Sequence, residues 1–305
     1  DRESVLGKRI SSPRVHLCEI RQAVELIDEG MKRRKSVFQK RIKTQRTSLN
    51  RPLLPITSIG SFPQTVELRK LRGRFRSGEI NKADYENCLK DEIRKVIRLQ
   101  EEAGMDVLVH GECERGDMAE YFAEKLEGFA VSSQGWVQSY GSRLVRPPII
   151  FGDVKRKEPI TVDWFQFAQG LTQLPVKGIV TGPVTILNWS YAREDQAREK
   201  TVCQIALAIR EEVLALQNAG AKIIQIDEPA MPEGLPLRRV HRAQYLKWAV
   251  DAFKVASCGV LDTTQIHTHM CYGEFGEVFA AIIAMDADVL SMECARSGVS
   301  VLEIF

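Results

Sequence analysis

The chain has 305 residues, 44% of them hydrophobic and 27% charged, which suits one large or two small globular domains. A formal net charge of only +3 implies no nucleic-acid or membrane partner, no apolar run approaches the ~20 residues of a membrane helix, and no signal peptide opens the chain. Seven cysteines, an odd number spread from Cys18 to Cys294, argue against a disulfide framework and for a reducing compartment, so a cytosolic setting is expected.

Residues 1–50 read as a helical interdomain or linker segment. Within them "MKRRKSVFQKRIKTQR" (31–46) carries eight basic residues and no acid. Such a run reads as the solvated face of a helix, with a nuclear address or a polyanion site as the competing reading. "NRPLLPIT" follows as a linker, because Pro52 and Pro55 disfavour helix. The chain starts at Asp1 and stops at Phe305 inside an apolar pattern, so both ends are expected to be cuts in something longer.

From residue 51 to 305 the pattern alternates. Short β-branched or apolar runs occur at 56–62, 106–112, 176–183, 222–229, 262–271 and 288–294, with long amphipathic stretches between them. "NKADYENCLKDEIRKVIRLQEEAG" has Asn81 placed as an N-cap and Gly104 placed to end the helix. "REDQAREKTVCQIALAIREEVLALQNAG" repeats the plan and ends at Gly220, and "HRAQYLKWAVDAFKVAS" and "EFGEVFAAIIAM" complete it. Strands alternating with helices predict βαβ units and a parallel sheet. No G-x-G-x-x-G follows the first run and no P-loop motif occurs, which disfavours a nucleotide fold. Polar residues stand at the ends of the runs instead: Ser61, Glu112, Thr181, Asp227, Glu228, His269, Cys271 and Glu293. Functional groups at the C-terminal ends of successive strands predict an α/β fold of the (β/α)8 TIM-barrel type. Six of the eight βα units are countable, so strand edges between the first and sixth strands are expected to be open.

"QIHTHMCYGEF" (265–275) sets His267, His269 and Cys271 at alternate positions, on one face of a strand. A lone strand histidine is more often a hydrogen-bonded core residue than a ligand. Three donors in a row, followed one unit later by Glu293 and Cys294, point toward a metal, and thiolate softness favours zinc. Spacing does not choose among the three. "IQIDEPAMPEG" offers Asp227, Glu228 and Glu233, which either pair with a nearby arginine or receive a cationic ligand group. Glu112, Glu114 and Asp117 surround Arg115 and fit an ion-pair cluster equally well. Trp189 stands just past a strand end, as core or as a flat wall for a planar heterocycle.

"SIGSFPQT", "VLVHGE", "GWVQSYGSR", "TGPVTILNWS", "IIQIDEPAMPEGLPLR", "IHTHMCY" and "SMECARSG", long and in order, resemble the cobalamin-independent methionine synthase family. The resemblance covers roughly residues 50–305 and implies the C-terminal catalytic barrel of a zinc enzyme with two barrels. It implies transfer of the N5-methyl group of 5-methyltetrahydropteroyltriglutamate to homocysteine, with the family's N-terminal barrel as a further partner. His269, Cys271 and Glu293 stand where the family places zinc ligands, and His267 does not. Ile59, Ser61, Glu112 and Asp227 stand where it holds homocysteine's amino and carboxylate groups, and Glu233 matches another site acid. Arg143, Leu144 and Trp189 fall at its folate positions.

The chemistry suits those residue types. A thiol titrates near ~8.5 and coordination to zinc removes its proton outright. The amine leaving group needs a proton at N5. The family's donor histidine and fourth zinc ligand fall beyond Phe305, so no catalytic proton donor is assigned here and this chain by itself is expected to be inactive. Cys113 and Gly116 in "GECERGD" depart from the family pattern. The competing expectations are another zinc-dependent thiol alkyltransferase and a non-enzymatic barrel fragment.

Overall fold

The computed structural model describes residue 7 and residues 12–139, 141–271 and 275–293. Two helices, α1 (Cys18–Glu25) and α2 (Phe38–Leu49), precede α3 (Val66–Arg76) and α4 (Lys82–Glu102). The sequence signals for α4 act as expected. Asn81 Oδ1 accepts the backbone N–H of Asp84 at 2.9 Å, and Tyr85, Leu89, Ile93 and Ile97, spaced four apart, are buried along one stripe. The helix ends at Gly104, whose φ of +71° is the left-handed geometry glycine adopts freely.

The central sheet is parallel and sequential: β5 (Lys177–Thr181), β6 (Ile223–Asp227), β7 (Gln265–Met270) and β8 (Val289–Met292). The helix α8 (Arg198–Asn218) joins β5 to β6, α10 (Arg242–Ser257) joins β6 to β7, and α11 (Phe279–Ala284) joins β7 to β8. The two earlier runs continue the same order through isolated parallel bridges, Thr57 to Val107, Ser61 to Gly111 and Leu108 to Val176. They are not continuous strands, because Gly60 (φ 144°), Gly111 (φ 93°) and Glu112 (φ 58°) leave the extended region. Six parallel runs in chain order, with helices between them, make an α/β architecture of the (β/α)8 barrel type.

Two antiparallel pairs were not legible in the alternation. After α5 (Met118–Lys125), β1 (Leu126–Ala130) pairs with β4 (Ile149–Arg156), and the two-residue strands β2 (Val137–Gln138) and β3 (Leu144–Val145) form a small hairpin between them. The chain then passes through α6 (Val162–Gln169) into β5, and the short helices α7 (Pro183–Asn188) and α9 (Ala230–Glu233) follow β5 and β6 at their C-terminal ends.

The basic run departs from the solvated reading. Arg34 and Arg41 are buried and clamp the turn before β8: Arg41 Nε lies 2.7 Å from Asp288 Oδ1, Arg41 Nη2 lies 2.8 Å from Asp286 Oδ1, and Arg34 Nη1 lies 3.0 Å from Asp288 Oδ2. Gln45 adds a 2.9 Å contact to the same carboxylate. Among the described residues no helix is long and apolar enough to cross a membrane.

Candidate functional site

Strand register decides which side chains meet at the sheet's C-terminal end. Thr181 pairs with Asp227, Asp227 with His269, and His269 with Ser291. One layer deeper, Ile179 pairs with Gln225 and Gln225 with His267. Register partners in parallel strands share a face, so Gln225, Asp227, His267 and His269 point the same way, and all four are buried.

At the expected amino-acid end, Gly60 explains part of "SIGSF". A Cβ there would lie 2.5 Å from Glu112 Oε1 and 2.9 Å from Ile179 Cδ1, so glycine lets the carboxylate pack against the loop. Glu112 holds a left-handed backbone at φ 58°, a strain of about 1–3 kcal/mol for a non-glycine residue. Asp227 has no ion-pair partner among the described residues, although Gln225 Nε2 donates to its Oδ1 at 2.8 Å. Burial, reinforced by the charge of Glu112, pushes the Asp227 carboxyl up to about 8. Ile59 and Ser61 sit exposed on the rim.

The adjacent acid has a different task. Glu228 accepts the backbone N–H groups of Val184 (3.0 Å) and Thr185 (2.7 Å) and the Thr185 hydroxyl (2.7 Å), which seats α7 over the strand ends. The cluster around Arg115 is an ion-pair network, with Arg115 Nε 2.9 Å from Glu114 Oε1 and His110 Nε2 3.1 Å from the same oxygen. Asp117 caps α5 through 2.9 Å contacts to Ala119 N and Glu120 N. Cys113 is buried, its thiol pushed up by desolvation and by Glu114. A Cβ on Gly116 would meet nothing closer than Arg72 Cδ at 3.7 Å, an ordinary contact.

His267 and His269 differ in partners as well as depth. His267 Nε2 lies 2.8 Å from Gln265 Oε1. His269 Nδ1 lies 3.2 Å from Ser291 Oγ, while its Nε2 is buried with no hydrogen-bond partner. In the tautomer whose Nδ1–H donates to the serine, Nε2 carries a free lone pair, and burial holds the ring's pKa below its ordinary value. Burial and the charges of Asp227, Glu233 and Glu293 push the Cys271 thiol up to about 11, so a thiolate there needs a cation beside it. Those acids stand near Cys271, yet among the described residues no three His, Cys, Asp or Glu side chains are gathered closely enough to hold a metal. Cys294, the other donor singled out in the sequence, lies outside the described residues.

On the outer side, Trp189 is partly buried at the end of α7 and donates its indole N–H to Glu233 Oε2 at 2.9 Å. Arg143 Nη2 lies 2.7 Å from Asp117 Oδ2, and Leu144 is exposed on β3. Trp189 and Asp117 line one cavity of about 220 Å³ with Gln138, Val145 and Tyr191. The structure therefore brings Trp189, Glu233 and the β2–β3 hairpin to one edge of the mouth.

Sequence reasoning missed Lys177 and Gln225. Lys177 is buried at the start of β5, with Nζ 2.6 Å from Ser58 O and 2.8 Å from Gln225 Oε1. A signal existed: Gln225 stands two residues before Asp227 in an otherwise apolar strand, and hence on the same face.

A family model described as the catalytic domain of cobalamin-independent synthase matches residues 54–305. The chain is 56% identical over 297 residues to a 5-methyltetrahydropteroyltriglutamate–homocysteine methyltransferase of Caulobacter vibrioides, covering 97% of this chain and 38% of that protein. It is 54% identical over 300 residues to the protein so named in Xylella fastidiosa, covering 98% of this chain and 40% of that one. The chain thus spans about two fifths of the length of these relatives. A solved B12-independent methionine synthase from Shewanella sp., in complex with selenomethionine, is similar at a TM-score of 0.61 and 25% identity, over 73% of this chain and 62% of that one. A Listeria monocytogenes structure shares the fold at a TM-score of 0.58 and 19% identity, over 72% and 66% of the two chains.

Proposed function

Because the chain belongs to the family of cobalamin-independent synthase catalytic domains, we propose that it carries the methyl-transfer site of an enzyme that makes methionine from homocysteine and 5-methyltetrahydropteroyltriglutamate. The observation that carries the reading is the pairing of His269 with Asp227 at the sheet's C-terminal end, with His269 Nε2 buried and partnerless. On this reading residues 51–305 belong to an incomplete C-terminal barrel with about six of its eight βα units, residues 1–50 are its helical connection, and the family's N-terminal barrel is the further partner. The dispersed cysteines support a cytosolic setting.

His269, Cys271 and Glu293 would hold zinc by drawing together from positions in which they are not gathered around one point, and their nitrogen, sulfur and carboxylate donors suit that ion. Bound zinc supplies the charge that makes homocysteine's thiol nucleophilic at neutral pH. Asp227 and Glu112 receive the substrate's ammonium group, and the Ile59–Ser61 loop receives its carboxylate. An arriving ammonium favours the carboxylate form of Asp227, so binding near neutral pH releases the proton that burial keeps there. Arg143, Leu144 and Trp189 form the folate side, with Trp189 as the wall for the pterin and Glu233 orienting the indole. No proton donor to N5 is assigned among residues 1–305.

The test supplies the protein with zinc, L-homocysteine and the methylated triglutamate folate, and follows both methionine formation and homocysteine binding. Zinc-dependent homocysteine binding is expected. A zinc-loaded protein that binds no homocysteine and forms no methionine would overturn the reading.

A further inference from the structure

Resting on that reading, we propose that Lys177 and Gln225 are positioning residues that strap the 58–61 loop to Asp227, and so fix the spacing between the two parts of the amino-acid site. Four contacts make the strap. Lys177 Nζ donates to Ser58 O at 2.6 Å and to Gln225 Oε1 at 2.8 Å. Gln225 Nε2 donates to Ile59 O and, at 2.8 Å, to Asp227 Oδ1.

The orientation of the amide is imposed by chemistry. An ammonium only donates, so Lys177 must face the amide oxygen. The amide NH2 is left toward the Ile59 carbonyl, which only accepts, and toward Asp227 Oδ1, which accepts its second N–H. Each group has one compatible role, and the loop carbonyls at 58 and 59 are thereby held from below while Asp227 is held from the side.

Stability alone is a poor reason for this lysine. Burial pushes its ammonium down to about 8 despite the opposing charges of Asp227 and Glu112. An apolar side chain of similar volume would fill the space without that desolvation. The Lys177 backbone opens β5, four residues or ~13 Å below Thr181, and its ammonium reaches Asp227 only through the Gln225 amide. What the lysine gives is the spacing between the loop and Asp227.

The experiment measures, by calorimetry with zinc present, binding of L-homocysteine and of its deaminated analogue mercaptobutanoic acid. Both are compared in the wild type, Gln225→Glu and Lys177→Met. Gln225→Glu keeps the acceptor facing Lys177 and removes both donations, while Lys177→Met keeps the stem and removes the donor. Each variant should bind homocysteine at least about tenfold more weakly. The analogue, which makes no ammonium contact with Asp227, should change less than about threefold, so the preference for the amino acid collapses. A merely structural role would weaken both ligands alike, and that outcome overturns the inference. So does a variant that keeps the wild-type preference. If Gln225→Glu does not fold, Lys177→Met decides by the same ratio. A wild type that binds homocysteine no better than the analogue overturns the amino-acid reading itself, a result distinct from failure of the strap alone.

Discussion

At the scale of single residues, alternate positions on one strand carry different chemistry. His267 and His269 share a face of β7, but successive same-face residues lie about 6.6–6.8 Å apart along a strand. One ion with bonds of ~2.0–2.3 Å collects two neighbours in such a row, not three. The deeper histidine already has Gln265 as a partner, and the outer one has a free nitrogen. His267→Ala should therefore retain zinc, whereas His269→Ala and Cys271→Ser should lose it, as read by metal analysis of the purified variants. The reverse pattern would refute the assignment. Asp227 makes a second case. Its carboxylate would be the charged acceptor for the substrate's ammonium, so Asp227→Ala should weaken homocysteine binding by about 1–3 kcal/mol. Zinc content should stay intact, and a variant that loses zinc but binds homocysteine normally would show the role to be wrong.

Elements are held in register by contacts far apart in sequence. The helix α2 and the stretch before it reach the turn ahead of β8 through Arg34, Arg41 and Gln45, all converging on Asp288. Asp288 Oδ2 also accepts the backbone N–H of Ile266 at 2.9 Å, so one carboxylate ties α2, β7 and β8 together. Removing one partner from such a buried group leaves uncompensated charge, at a cost of about 3–5 kcal/mol. Arg41→Met should lower stability by about 3 kcal/mol in denaturant unfolding, where an exposed basic residue would give about 0.5 kcal/mol or less. A change as small as the latter would return the run to the solvated-face reading.

For the whole molecule, the buried network beneath the second run sets a pH dependence. Burial pushes the Glu114 carboxyl up, but His110 and Arg115 more than offset it and hold it down at about 2, against an ordinary 4.5. A folded-state value below the unfolded one adds stability that is complete above pH 4.5 and is lost as pH falls toward 2. The shift corresponds to about 3 kcal/mol. Wild type should lose more stability between pH 7 and pH 3 than Glu114→Gln does, in denaturant titrations at both values. Equal losses would mean that Glu114 does not carry the acid sensitivity.

The sequence by itself determined the order and direction of the main elements. Hydrophobic period switches between two and 3.6 within a few residues, caps such as Asn81 and stops such as Gly104 are local, and a polar residue closing an apolar run marks its functional end. The positions of Asp227, His269 and Cys271 were legible for that reason, as was their common strand-end location. Only the tertiary structure decided which of two adjacent acids faces the mouth, because Asp227 and Glu228 differ by one step of strand parity and the helix residues that Glu228 holds are 43 and 44 residues earlier in the chain. It alone decided that Arg41 is buried, since its partners lie 245 and 247 residues away. It also decided that Lys177 and Gln225 meet under the 58–61 loop. Hydrogen bonds and charge pairs form between groups that folding brings together, and no local pattern records a partner contributed by a distant strand.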